Sequence, residues 1–457
     1  MTDWVIEGGA VATVDGDGHE HVPGHVVVAG GRVAAVGPGG ARPDAVPPGA
    51  RRLDASGCLV TPGLVNTHHH FSQWATRGMA ADATLFGWLQ ALYPVWALVD
   101  EDVQHAAALG SLTALASSGC TTTMDHTYVF PVGSGDLLAA EIEAARTVGV
   151  RFHPSRGSMD LGRSRGGLPP DEVVEDTDAA LAATEEAVDR WHDPRPASML
   201  RMTVAPCSPF SVSGELMRAA ADLARRKGVR LHTHLAETTD EDAYCAEHFG
   251  CTPAEYVDSL GWLAGDVWVA HGVHLDAAAR SRLGRAGTGV AHCPSSNGRL
   301  GAGVAPVPQL LAAGVPVGLG VDGSASNESG QLGPEIRAAL LTARAAQGPQ
   351  ALTTRQALEL ATMGGARCLG RADEIGSLEV GKLADLAVWR LDTAAHAGIA
   401  DPVAGLTLAS LPPLALLLVG GRPLVEEAEP TTVEPADVAR RVAAACRRLA
   451  GRWERRR

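Results

Sequence analysis

The sequence of 457 residues predicts an α/β protein, a (β/α)8 TIM barrel carrying a small discontinuous β-sandwich-like domain built from both chain ends. Three observations predict it. Apolar, strand-like runs alternate with alanine-rich helical stretches from Thr61 to about residue 370, and eight such βα units at this length are the signature of a closed parallel barrel. The first sixty residues are instead short alternating runs punctuated by glycine pairs, a pattern of antiparallel strands joined by tight turns. After residue 370 that alternation returns.

Taken in order, "WVIEGGAVATV" and "HVVVAGGRVAAVG" supply the first part of the small β domain, residues 1–60. The barrel, residues 61–370, is read from "TPGLVNTHHH", "GCTTTMDHTYVF", "VRFHPSRGSMD", "LRMTVAPCSPFSVS", "VRLHTHLAET", "DVWVAHGVHLD", "TGVAHCPSSN" and "VPVGLGVDGSASN". Helices such as "DVQHAAALGSLTALASSG" and "SGELMRAAADLARRKG" lie between them. Residues 371–457 open with "GSLEVGKLADLAVWRLD", which completes the small domain. They end in "PADVARRVAAACRRLAGRWERRR", a helix whose basic end suits the negative pole of its dipole.

An apolar fraction of 46% with 20% charged residues is ordinary globular composition and excludes a disordered or fibrous chain. A formal charge of −14 opposes nucleic acid and anionic membrane as partners, because both need a basic face. A small-molecule ligand fits better. The eight cysteines are scattered without a CxxC pair, the usage of a reducing compartment. The N-terminus lacks the basic patch and apolar run of a signal peptide, and Leu406–Gly421 is too short to span a bilayer and is broken by Pro412 and Pro413. A soluble, cytoplasmic homo-oligomer, dimer or larger, is the expectation.

Function concentrates where the strands end, since a barrel of this kind builds its active site at the C-terminal face. The first strand ends in His68, His69 and His70; side chains alternate along a strand, so His68 and His70 share one side and His69 faces the other. The fifth strand adds His234 with Glu237 three residues on, the sixth adds His271, and the eighth ends at Asp322. Imidazoles and a carboxylate converging from several strand ends form a ligand set suited to zinc or a similar divalent ion.

On "PGLVNTHHHFSQ", "HTHLAET", "AHGVHL", "HCPSSNGRL", "GLGVDGSASN" and "GSLEVGKLADLAV", the chain resembles the amidohydrolase superfamily over nearly its whole length. The likeness is to the mononuclear-metal aminohydrolases of nucleobases and related heterocycles. The stretches "LFGWLQALYPVWA" and "SGCTTTMDHTYVFP" are most similar to 8-oxoguanine deaminases, and less so to triazine aminohydrolases. The resemblance implies His68, His70, His234 and Asp322 as ligands of one divalent ion per chain, zinc first and iron(II) second. It implies Glu237 and His271 as the catalytic pair, with Asp322 also relaying the water's proton. Dinuclear relatives need a carbamylated lysine on the fourth strand, but this chain has only Lys227 and Lys382, neither of them there.

The reaction expected is hydrolytic deamination of an amino-substituted oxopurine, with triazine and pterin rings as alternatives. A non-catalytic barrel scaffold would have lost ligands, whereas all are present. Gln73, in an H-x-H-F-x-Q arrangement, offers both donor and acceptor to an oxopurine edge. Arg156 could bind a ring carbonyl or be held in a salt bridge. Cys207 is expected to line the pocket rather than attack, and His126 to stand in or beside it. Asn297 is read either as support for a site residue or as a turn cap. His19, His21 and His25 are expected in solvent, and Trp74, Trp88 and Trp96 either cover the mouth or pack a helix.

Overall fold

The computed structural model describes residues 2–456. Among them, eight parallel strands close a barrel: β1 (Leu64–Asn66), β2 (Cys120–Thr127), β3 (Arg151–Ser158), β4 (Thr203–Pro206), β5 (Arg230–Leu235), β6 (Val267–His271), β7 (Gly289–His292) and β8 (Val317–Leu319). Each pairs with the next in sequence, and Leu319 opposite Asn66 joins β8 back to β1. Helices cover the outside, so β2 is buried along its whole length. Within it, Thr123 accepts from Asn66 Nδ2 at 2.9 Å.

Helix signals in the sequence are used as such. Asp100 caps Glu101–Ser117, accepting from Val103 N, and Ser213 caps Gly214–Lys227, accepting from Leu216 N. Gly228 ends the latter at φ 67°, a left-handed conformation that glycine adopts without Cβ strain.

The two chain ends build a sandwich of two sheets. Arg32–Pro38, Gly24–Ala29, Trp4–Glu7 and Arg51–Asp54 form one, and Leu386–Arg390 brings the C-terminal strands against Cys58–Pro62 in the other. Trp4, Ile6, Val26 and Val28 pack against Leu386, Val388, Leu416 and Leu418 between them. Cys58–Pro62 leads directly into β1, and the buried Arg151–Asp385 pair, 2.5 Å apart, ties β3 to the sandwich. His25, expected in solvent, is instead buried, with Nδ1 3.1 Å from Gly39 O, because its strand is internal to its sheet. The helix Pro435–Arg456 lies on Glu101–Ser117, burying Ala445 and Leu449 beside Val99 and Val103. Among the described residues no helix is long and apolar enough to cross a membrane.

Candidate active site

Three histidines at the C-terminal face have their protons assigned by their neighbours. His70 Nδ1 lies 2.7 Å from His126 O and His234 Nδ1 lies 2.7 Å from Cys207 O. A carbonyl only accepts, so both Nδ1 atoms carry hydrogen and both Nε2 atoms present a lone pair in the neutral ring. His68 reaches the same state through another histidine. His232 Nδ1 donates to Trp268 O at 2.9 Å, so its Nε2 accepts from His68 Nδ1 at 2.8 Å. His68 Nε2 is left buried without a hydrogen-bond partner.

These lone pairs converge. His70 Nε2 and His234 Nε2 stand 3.1 Å apart, and Asp322 Oδ1 lies 3.3 Å from His70 Nε2 and 3.4 Å from His68 Nε2. Neutral acceptors packed this closely repel one another unless a cation lies among them, so the donor set fits a divalent metal ion. Burial drives the His68 and His234 imidazoles down, the latter to about 3, which keeps them in the unprotonated form a ligand needs. Burial opposes ionisation of Asp322, but the adjoining His68 and His70 imidazoles outweigh it and hold the carboxyl well below its usual range. Ser296 Oγ at 2.6 Å and Gly323 N at 2.6 Å fix its two oxygens. His69 points the other way, its Nδ1 accepting from His70 N at 2.7 Å.

Glu237 and His271 stand beside this cluster, Oε2 to Nε2 3.5 Å. His271 Nδ1 is engaged by Asn297 Oδ1 at 2.9 Å, which turns Nε2 toward Glu237 and toward Asp322 Oδ2 at 3.9 Å. Burial, and next the charge of Asp322, push the Glu237 carboxyl well above its usual range. The backbone is held under strain here: Ala236, His271 and Asp322 adopt φ of 53°, 74° and 63° without being glycine. Glu241 stabilises one of these turns, its carboxylate accepting from Ala236 N at 2.9 Å and Glu237 N at 3.0 Å.

Residues 59–422 match the amidohydrolase family. The chain belongs to that family. The amidohydrolase is 44% identical over 420 residues to the 8-oxoguanine deaminase of Pseudomonas aeruginosa, covering 92% of each chain. It is 39% identical to an isoxanthopterin deaminase from an unknown prokaryotic organism, over 90% of this chain and 89% of that one. The crystal structure of the atrazine chlorohydrolase TrzN from Arthrobacter aurescens TC1 complexed with zinc superposes with a TM-score of 0.90 at 32% identity, covering 97% and 100% of the two chains. The protein is thus a metal-dependent hydrolase acting on C–N bonds, of the deaminase kind.

The amidohydrolase pocket opens directly onto His70, His234, Glu237, His271 and Asp322. Its walls are apolar, with Leu85, Trp88 and Leu89 from the helix Leu85–Trp96 on one side and Phe210 and Leu300 on others. Trp88 therefore lines the mouth, whereas Trp96 packs edge-on behind it at 5.2 Å. Gln73 lines the same pocket, 1% exposed, and its Oε1 has no partner. Gly323 makes room for it, because a Cβ there would lie 1.8 Å from Gln73 Oε1. Cys207 also lines the pocket, and burial pushes its thiol up to about 12, out of the nucleophilic range.

One expectation is corrected. Arg156 does not line the pocket: Glu175 holds its guanidinium through bonds of 2.8 and 2.5 Å, and it stacks 3.7 Å over the Phe130 ring. His126, expected in the pocket or beside it, stands beside it. It lies within the histidine cluster, Nε2 2.8 Å from Ala205 O and its ring stacked on His234 at 4.8 Å. Three residues escaped the sequence reading. His232 had a signal, since "HTH" repeats the alternation of the first strand; Tyr93 lay within the "LFGWLQALYPVWA" stretch of the resemblance without a role assigned to it, and Glu241 had no signal. Tyr93 is fully buried, lines the pocket and has no partner for its hydroxyl.

Proposed function

We propose that this amidohydrolase deaminates an amino-substituted oxopurine, with 8-oxoguanine first among candidates, releasing ammonia and leaving a carbonyl where the exocyclic amine stood. The observation that carries this reading is a pair of buried polar atoms with no protein partner, Gln73 Oε1 and the Tyr93 hydroxyl, on the pocket that holds Glu237. An otherwise apolar slot with such groups suits a flat ring bearing carbonyl and amide edges. The 8-oxoguanine deaminase relative supports the same choice.

His68, His70, His234 and Asp322 would hold one zinc ion, iron(II) being the alternative. When bound, the ion supplies Lewis acidity that lowers a water's pKa from about 16 toward about 7. His271, oriented by Asn297, aligns the attacking water with the carbon that bears the amine. Glu237 donates a proton to the adjacent ring nitrogen as the C–O bond forms, which breaks aromaticity and gives a tetrahedral carbon. Asp322 accepts the water's proton and returns it to the departing amine, the C–N bond breaks with release of neutral ammonia, and the remaining hydroxyl proton returns to Glu237 as the carbonyl forms.

Steady-state ammonia release from 8-oxoguanine, guanine, isoxanthopterin and a hydroxylated aminotriazine, under one set of conditions, tests the substrate. 8-Oxoguanine should have the highest kcat/KM, and adenine and cytosine should be poor, since unmatched buried polar groups reject an analogue by up to about 10⁴-fold. Turnover of the triazine or the pterin with no purine deaminated would reject the oxopurine reading.

A further inference from the structure

At the opposite end of the barrel from Asp322, where β3, β4 and β5 begin, lies a second cavity of about 190 Å3. His153, His192, Arg201, Thr203 and Arg230 line it, with Leu369 and Gly370 closing one side. It borders the exposed Pro194 and Gly228, so it communicates with solvent. Four buried atoms around it have no hydrogen-bond partner: His153 Nε2, Thr203 Oγ1, Arg201 Nε and Arg230 Nε. His153 and Thr203 are only 3% and 1% exposed. Buried polar groups are ordinarily paired, so such a concentration on one cavity calls for a ligand.

The charge around the cavity gives the ligand's sign. Arg201 and Arg371 share a single carboxylate, Glu374. Arg230 has no carboxylate partner among the described residues and donates instead to Gly265 O at 2.9 Å. The other acids of this region are already matched, Asp193 by Arg195, Asp266 by Arg225 and Asp385 by Arg151. An excess of guanidinium therefore faces the space in a chain whose net charge is −14. Burial first, and then Arg371, Arg201 and Arg230, keep the His153 imidazole unprotonated, which reports the same positive field.

We propose that this cavity binds a small tetrahedral oxyanion, phosphate or the phosphate group of a monoester, through Arg201, Arg230, Thr203 and His153, at a site separate from the metal centre. Guanidinium N–H groups and a hydroxyl match phosphate oxygens in charge and in donor direction. The volume admits such a group with room beyond it.

Isothermal titration of the zinc-loaded enzyme with sodium phosphate, ionic strength held constant with sodium chloride, tests it. A sugar phosphate in a second arm distinguishes a monoester from the free ion. One saturable site per chain is expected, with Kd of about 1 mM or tighter. Arg230→Gln and Thr203→Val should each weaken it roughly tenfold or more, the loss of one charge-assisted or hydroxyl contact, while kcat without phosphate stays at the wild-type value. Absence of saturable heat from the wild-type enzyme with both ligands at about ten times that concentration overturns the proposal. So does wild-type affinity in both variants, which would put the phosphate elsewhere, the metal centre included.

Discussion

Replacing Tyr93 by Phe separates a group that reads the substrate from one that holds the fold. The hydroxyl is fully buried on the pocket and bonds to no protein atom, so its removal breaks no hydrogen bond of the free enzyme. The ring keeps its edge-on contact with Trp96 at 5.7 Å, and the volume lost is one oxygen. Burial, with Cys207 and Glu237 nearby, pushes the phenol well above its ordinary range, so it remains a neutral O–H able to donate to a ring carbonyl. A substrate edge deprived of that donor inside the closed pocket forfeits about 1–3 kcal/mol, a fall in kcat/KM of roughly 5- to 150-fold. The melting temperature should stay within about 2 °C of wild type or rise, because no stabilising contact is lost. Ammonia-release kinetics on 8-oxoguanine and a thermal melt of the same preparation decide it. Unchanged kcat/KM would remove Tyr93 from the recognition set; a fall in kcat/KM accompanied by a drop of many degrees would make it a packing residue.

The other expectations concern the metal, the acid and the turns that carry them. Glu237→Gln should keep the metal and lower kcat by about 100-fold or more, the usual loss for a general acid, and near-normal turnover would take that role away from Glu237. Elemental analysis should find one divalent ion per chain, lost together with activity in His68→Ala and His234→Ala; two ions per site would contradict the mononuclear reading. Gly323→Ala places a methyl 1.8 Å from Gln73 Oε1 and should displace that amide, reducing kcat/KM for the oxopurine more than it reduces bound metal. Glu241 makes stability depend on pH. Burial raises its carboxyl from 4.5 to about 7, so between those values the folded state holds a proton that the unfolded chain has released. That contribution is complete below pH 4.5 and is lost as pH rises through 7, about 3 kcal/mol at most. Denaturant titrations at pH 5 and pH 8 should therefore show Glu241→Gln gaining on the wild type as pH rises, whatever constant offset the amide introduces, and a parallel pH dependence would refute the assignment.

What could be read from the sequence is what depends on local period. Alternation along a strand puts His68 and His70 on one side and His69 on the other, and the structure keeps that division: two Nε2 atoms face Asp322 while His69 accepts from the backbone of His70. The βα rhythm likewise places His234, His271 and Asp322 at strand ends, hence at one face. The proton on each ring was not legible, because it is set by acceptors from other strands: His126 O for His70, Cys207 O for His234 and His232 Nε2 for His68. Arg156 failed for the complementary reason. It stands near the end of its strand like the site residues, but Glu175, nineteen positions later, captures its guanidinium before a substrate could, and no periodicity encodes that encounter.

Tyr93 marks the sharper limit. Its helix reads as an apolar segment, and an apolar helix predicts a tyrosine whose hydroxyl escapes to water or finds a partner. Here it does neither, because Leu85–Trp96 turns its inner face onto the pocket instead of onto a neighbouring helix. Unpaired polar atoms on the pocket are thus the part of recognition that only the assembled barrel reveals. Gln73 was legible as a pocket residue because it follows the H-x-H pair by three residues, whereas Tyr93 follows no such pair. A residue that reads the substrate can be recognised in sequence when it is tethered to the chemistry, and must otherwise be found by asking which buried donors the fold leaves unsatisfied.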